Sequence, residues 1–236
     1  MNKVTELLKH KISLFVSLPG NQIEMYEAAL QGGADVIKVH INVEHRASGN
    51  RFGTLEENLP FLQQIASERK VPLGIVPGDS ADKVSNELIE SLSKLQFDFF
   101  SLYAHHTPAW LMTDSRLSRM IAINNHYGVE QAAALTSVGV DILEASIMAP
   151  DSYGSLLTAQ DLAAYRLLAL TVDKPIVVPT QKLVRECDLE AMVRTGIRGI
   201  MIGAIVTGKT PESIYRTTKR YKELLAEIED NMGREQ

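Results

Sequence analysis

The chain has 236 residues, 45% of them hydrophobic, which is enough for one large domain with a substantial core. A formal net charge of −5 gives no electrostatic footprint for nucleic acid, and no apolar run is long enough to cross a membrane. The single cysteine, Cys187, excludes an intrachain disulfide framework and fits a cytoplasmic protein. No histidine stands beside Cys187 in sequence, so it reads as structural rather than as a nucleophile.

The N-terminal stretch, residues 1–21, has too short an apolar run, and no small-residue cleavage site, for a signal peptide. Short β-rich runs then alternate with amphipathic stretches to the end of the chain. The predicted strands are Ile12–Ser17, Asp35–His40, Val71–Val76, Asp98–Tyr103, Arg119–Asn124, Asp141–Ala145, Pro175–Thr180 and Gly199–Ile202. Between them, Asn21 precedes a helix over Gln22–Gln31 that Gly32 and Gly33 end. Thr54 and Glu57 have capping-box spacing before a helix over Asn58–Arg69. Thr158 precedes a long Ala/Leu-rich helix, and Pro211 opens the last one. Residues Glu227–Gln236 form a charged tail expected to fray. Eight strands separated by helix-length intervals predict one α/β domain over residues 1–236, a single (β/α)8 barrel of the TIM type.

A weak internal repeat agrees. Gly33-Ala34-Asp35, Gly139-Val140-Asp141 and Gly196-Ile197-Arg198 each end a helix and open a strand. Such turns belong at the bottom of a barrel and bear on stability. Function belongs at the opposite face, where the strands end.

Alternation along the strands marks that function. In the second strand Ile37, Val39 and Ile41 share one face, and Val36, Lys38 and His40 share the other. In the sixth, Glu144 and Ser146 share a face opposite Leu143 and Ala145. A face carrying lysine and histidine is costly to bury unless it lines a polar cavity. Lys38 is suited to a Schiff base, a proton donor or a phosphate clamp, and Glu144 to general acid/base work; a buried structural ion pair is the plainer alternative. Because the second and sixth strands of eight lie opposite, the two groups are expected to flank a ligand rather than touch. Ser17 and Asn124 fall on the inward face and are candidates to orient hydroxyls or an enolate oxygen.

The loops after the strands are polar. The longest, Asn42 to Gly53, carries Glu44, His45, Arg46 and Arg51 with two glycines and reads as a lid. The stretch around Trp110 reads as a packed loop anchor. Five of the six histidines (His40, His45, His105, His106 and His126) sit at or just past strand ends, as does Asp79. These could hold a divalent ion, but no defined ligand spacing is visible, so neither a metal nor another cofactor is predicted. Two last loops, Thr180-Gln181-Lys182 and Gly203-Ala204 through Thr207-Gly208, offer backbone donors and a lysine for phosphate.

The segment Gly199-Ile200-Met201-Ile202-Gly203-Ala204-Ile205-Val206 resembles the last strand of the ribulose-phosphate-binding barrel superfamily, and Gln31 to Ile37 is similar to its helix-to-strand joins. That group includes the tryptophan-pathway barrels, ribulose-phosphate epimerase and the N-acylmannosamine-phosphate epimerases. Two departures matter. Thr180-Gln181-Lys182 stands where the family has a glycine pair, and the Asp-x-Lys-x-x-Asp motif of its decarboxylases is absent from the third strand. The resemblance implies a phosphorylated small-molecule substrate and no decarboxylase.

Sequence and resemblance together predict an isomerase (epimerase) or carbon–carbon lyase that moves a proton next to a carbonyl. Lys38 and Glu144 exchange protons, His40 assists and Asn124 polarises oxygen. Its rivals are a metal-dependent epimerase or hydrolase built on the rim histidines, and a non-catalytic phosphometabolite-binding barrel. No nucleic-acid or membrane partner is expected; barrels of this size often pair, which makes a homo-oligomer possible and leaves the oligomeric state open.

Overall fold

In the computed structural model, which describes residues 3–234, eight parallel strands close into a barrel. They are β1 (Ser13–Ser17), β2 (Val36–His40), β5 (Leu73–Val76), β6 (Phe99–Tyr103), β7 (Ser118–Ile123), β8 (Ile142–Ala145), β9 (Ile176–Pro179) and β10 (Gly199–Ile202). The order around the barrel is β1-β10-β9-β8-β7-β6-β5-β2. Each is the predicted strand to within two residues at either end. A two-stranded antiparallel hairpin, β3 (Val43–His45) with β4 (Asn50–Phe52), stands apart from the barrel sheet.

Strand alternation sorts the core into two layers. Phe15, Val36, Phe99, Met120, Ile142, Val177 and Met201 fill the barrel interior, and helix α1 (Lys3–His10) adds Val4 and Leu8 to that cluster. Leu14, Val16, Ile37, Val39, Ile121, Leu143, Val178 and Ile200 point outward into the shell shared with the helices. The parallel register matches inward with inward residues: Phe15 with Val36, Ser17 with Lys38, Lys38 with Gly74, and Ala122 with Glu144. Gly74 is required there by close approach, since a Cβ on it would lie 2.0 Å from Phe99 Cζ. The Phe99 ring therefore occupies space that a side chain on β5 would fill.

The repeated turns do what their residue types predict. Gly33, Gly139 and Gly196 have φ of 90°, 112° and 90°, the left-handed region open to glycine. The aspartates that follow knit neighbouring strands together. Asp35 accepts the Leu14 N–H at 2.9 Å and Asp141 accepts that of Arg119 at 2.9 Å. Asp98, before β6, accepts that of Leu73 at 2.9 Å. Lys11 and Lys222 both reach Asp35, tying the last helix, α9 (Pro211–Arg234), to the strand start.

The remaining helices are α2 (Ile23–Gln31), α3 (Leu55–Ser67), α4 (Asn86–Lys94), α5 (Val129–Thr136), α6 (Ala159–Thr171), α7 (Leu189–Val193) and α8 (Ala204–Thr207). The Thr54/Glu57 capping box forms, and Thr158 caps α6. Several expectations need correction. Asn21 does not cap α2; its amide instead donates to His40 O at the end of β2 and to Asn58 Oδ1 on α3. No α-helix joins β6 to β7, only the 3-10 turns Ala104–His106 and Ala109–Thr113. On the second turn Leu111 is the buried residue, while Trp110 is 41% exposed and anchors little. Cys187 is exposed rather than packed inside. The charged tail continues α9 as far as Arg234, and its last two residues lie outside those described.

Candidate active site

The polar ends of the inward strand faces surround a cavity of about 500 Å³ at the barrel mouth. Ser17, Lys38, His40, Asn124 and Glu144 line it, as the alternation predicts. So do all five rim histidines, including His105 and His126, together with Arg46 and Asp79. The sixth histidine, His10, pairs with Glu6 on α1.

Lys38 and Glu144 do not stand apart. Lys38 Nζ donates to Glu144 Oε2 at 3.0 Å, with side chains 6% and 7% exposed. The expectation that they flank a ligand overlooked side-chain reach: a lysine stem extended from one strand spans the interior of an eight-stranded barrel to a glutamate on the opposite one. Ser101 Oγ donates to the same carboxylate oxygen at 2.7 Å, and Ser146 Oγ donates to Oε1 at 3.1 Å. Three donors thus converge on one carboxylate, which is how a buried charge is compensated. The apolar interior cluster lies below the pair, and of it only Met201 lines the cavity, so the Lys38–Glu144 pair forms the cavity floor.

His40 is wholly buried, with His45 and Phe52 of the hairpin against its ring at centroid distances of 4.5 and 4.7 Å. Burial holds its imidazole well below the usual range, and the neighbouring His45 and Lys38 add to this. Burial likewise lowers His45, to about 4. Both rings are therefore neutral at pH 7, and each is a weaker base than a free imidazole. His40 Nε2 lies 3.5 Å from Ser17 Oγ, and Nδ1 has no partner. The segment read as a lid is thus an ordered hairpin. Val43 and Phe52 are buried, and Asn50 Nδ2 donates to Pro19 O at 2.6 Å. Arg51 lies opposite Glu44 across the hairpin and does not line the cavity.

The strand-seven and strand-eight loops divide. Thr180 Oγ1 accepts the Gly203 N–H at 3.2 Å, tying the two loops together. Gln181 turns inward: it accepts the Met148 N–H at 3.1 Å and donates to Ser146 O and to Tyr153 Oη. Gly203, Ala204 and Ile205 line the cavity. Lys182 does not; it donates to Ser155 Oγ at 2.9 Å and lies 3.7 Å from Asp161. Thr207 is buried with its hydroxyl on Gly208 O, and neither residue reaches the cavity. Asn124 Oδ1 accepts the His126 N–H at 3.0 Å, which holds the turn after β7.

Sequence reasoning passed over Ser101, Tyr103 and Tyr153. Tyr103 lines the cavity beside His105, with ring centroids 5.3 Å apart. Burial, with Tyr153 and Glu144 nearby, raises its phenol, so it remains a donor at neutral pH. Its inward position on β6 was the available signal. Among the described residues, no three His, Cys, Asp or Glu side chains cluster so as to hold a metal ion.

The fold and this mouth define a (β/α)8 barrel with a buried lysine–carboxylate pair under a histidine-lined opening. Solved structures share that fold. A thiamine phosphate pyrophosphorylase from Pyrococcus furiosus is 20% identical, with a TM-score of 0.64 over 94% of this chain and 98% of that one. Tryptophan synthase from Mycobacterium tuberculosis is 13% identical, with a TM-score of 0.72 over 95% and 98%. KGPDC from Streptococcus mutans, solved in a ligand complex, is 13% identical, with a TM-score of 0.67 over 92% and 98%. At these identities the likeness is one of fold, a (β/α)8 barrel. No family model matches the sequence, and no curated protein matches it.

Proposed function

We propose that the protein is an isomerase (epimerase) or carbon–carbon lyase acting on a small phosphorylated sugar or carbonyl compound by proton transfer next to the carbonyl. The observation that carries this reading is the Lys38–Glu144 pair at the floor of the mouth cavity. A barrel can be filled with apolar side chains, so two ionised groups on its axis, open to a cavity of substrate size, are a site for chemistry.

The roles follow from the contacts. Both Glu144 oxygens already accept hydrogen bonds, so the carboxylate chiefly holds Lys38 in place. The ammonium stabilises the enolate oxygen that forms when the neighbouring carbon loses its proton. The Nε2 edge of neutral His40, 3.5 Å from Ser17 Oγ beside the cavity, takes that proton or returns it. Asn124 and Tyr103 supply further donors around the carbonyl. Ala204 and Ile205 offer backbone N–H groups to a phosphate. A phosphorylated substrate is also supported by a neighbour of the same fold, the one named for a thiamine phosphate.

The test is an NMR turnover screen over phosphorylated aldoses, ketoses and acylamino sugars, with borohydride added in parallel. A new epimer or ketose without a covalent adduct supports the isomerase. An adduct on Lys38 with a shortened product supports the lyase. No turnover of any phosphorylated carbonyl compound, with turnover of a neutral one, would overturn the phosphate part of the reading.

A further inference from the structure

The cavity has a charged wall that the strand-seven loop does not provide. Two Lys or Arg side chains line it among the described residues, Lys38 and Arg46. Lys38 is committed to Glu144. Lys182, which the sequence placed beside a phosphate, is turned to Ser155 and Asp161.

Arg46 differs from both. It is exposed at the cavity lip and makes no ion pair or side-chain hydrogen bond among the described residues. Its position is nevertheless built. The hairpin that carries it is fixed by the buried Val43 and Phe52, by His45 packed against His40, and by Asn50 on Pro19 O. The Glu44 N–H also donates to Asp79 at 3.1 Å. Glu44, the acid two residues before Arg46, lies opposite Arg51 across the hairpin and lines the cavity, but forms no ion pair with Arg46. At the hairpin turn, a Cβ on Gly49 would lie 4.0 Å from Lys209 Nζ. The turn therefore reaches the segment just past the strand-eight loop, whose Ala204 and Ile205 line the same cavity as Arg46.

A guanidinium is permanently charged and presents a planar fork of donors that fits an oxyanion with two parallel bonds. We infer that Arg46, carried on the β3–β4 hairpin, is the cationic arm that holds the oxyanion of the substrate, with Lys209 adding attraction from across the turn. This rests on the mouth cavity being the substrate site, and it gives the substrate a direction. The anionic end lies under the hairpin, and the reacting carbon lies at Lys38. The hairpin thereby serves as a specificity element for charged substrates rather than only as a cover.

The oxyanion is a phosphate or a carboxylate, and two probes separate them. Inorganic phosphate and malonate are titrated into the isotope-labelled full chain by NMR, at low and at high salt. The proteins are the wild type, Arg46→Gln, Arg46→Lys and Lys209→Gln. Loss of a charge-assisted pair predicts that Arg46→Gln weakens binding about 10- to 100-fold with unchanged melting. Arg46→Lys is expected to restore part of the affinity, and Lys209→Gln to reduce mainly the salt dependence. Phosphate binding that Arg46→Gln retains in full overturns the inference and leaves the phosphorylated-substrate reading standing. Arg46-dependent malonate binding without phosphate binding sustains the inference and overturns that reading. Binding of neither anion by the wild type overturns both.

Discussion

Lys38→Met and Glu144→Leu test how the two charges are held. The side chains are 6% and 7% exposed and meet at 3.0 Å. Removing Glu144 leaves a buried ammonium without its counter-charge and takes the acceptor from Ser101 and Ser146. Removing Lys38 leaves the carboxylate with two neutral donors. Breaking a buried pair from one side costs about 3–5 kcal/mol. For a chain of this length each kcal/mol is worth about 2–4 °C, so each single variant is expected to melt about 6–20 °C lower. The double variant replaces both charges with apolar side chains above the apolar interior cluster. It is expected to recover most of the loss, because a well-packed apolar replacement of a buried pair is often neutral. The assay is a double-mutant cycle by thermal and denaturant unfolding. Had the groups flanked a ligand across a wet mouth, single variants would melt near the wild type. Losses that simply add, to within about 0.5 kcal/mol, would refute direct pairing.

Three other outcomes follow from the structure. His40 and His45 both titrate lower in the folded chain than the unperturbed 6.5, His45 at about 4. The unfolded chain therefore binds more protons below pH 6.5, and stability falls as pH drops towards 4, by up to about 1.4 kcal/mol per pH unit and histidine. Denaturant melts across that window check this; a slope unchanged by His45→Gln would contradict it. Gly74→Ala places a methyl against the Phe99 ring, and overpacking of this kind costs about 1–3 kcal/mol. Partial recovery in Gly74→Ala/Phe99→Leu would confirm the cause, and normal melting of the single variant would refute it. Lys182→Ala is expected to lower melting through Ser155 and Asp161 while leaving phosphate affinity unchanged. Lost affinity at normal melting would return Lys182 to the anion site.

The barrel was legible because its signals are local. Period-two alternation marks each strand, and turns of glycine, an apolar residue and a polar one mark where three of them start, so every strand boundary falls within two residues. Lys38 and Glu144 were legible because ionisable residues on otherwise apolar strands need a reason to be there. Their contact was not, since it depends on side-chain reach across the barrel and not on any spacing in the chain. Ser101 was passed over because a small hydroxyl within Phe99-Phe100-Ser101-Leu102 does not stand out until its partner is known. The hairpin hid for a different reason. Val43 to Phe52 is charged and glycine-bearing, and its fixity comes from His45 and Phe52 packing on His40, a residue of another strand. Lys182 shows the reverse error: the chain placed it at the correct loop, and Asp161, at the start of α6, drew it away. Helix α1 plugs the barrel with Val4 and Leu8, two apolar residues among charged neighbours that carry too little pattern to announce a plug.

The central claim is proton transfer next to a carbonyl at the Lys38–Glu144 floor, and isotope exchange from solvent reads it without knowledge of the net reaction. Phosphorylated ketoses are incubated with the enzyme in deuterium oxide, and the carbon–hydrogen positions next to the carbonyl are followed by NMR. The account predicts deuterium entering one such position with the wild type, and exchange slowed about 100- to 1,000-fold by Lys38→Met in protein shown to be folded at the assay temperature. Turnover with no solvent deuterium in substrate or product, or exchange that survives Lys38→Met, would contradict it.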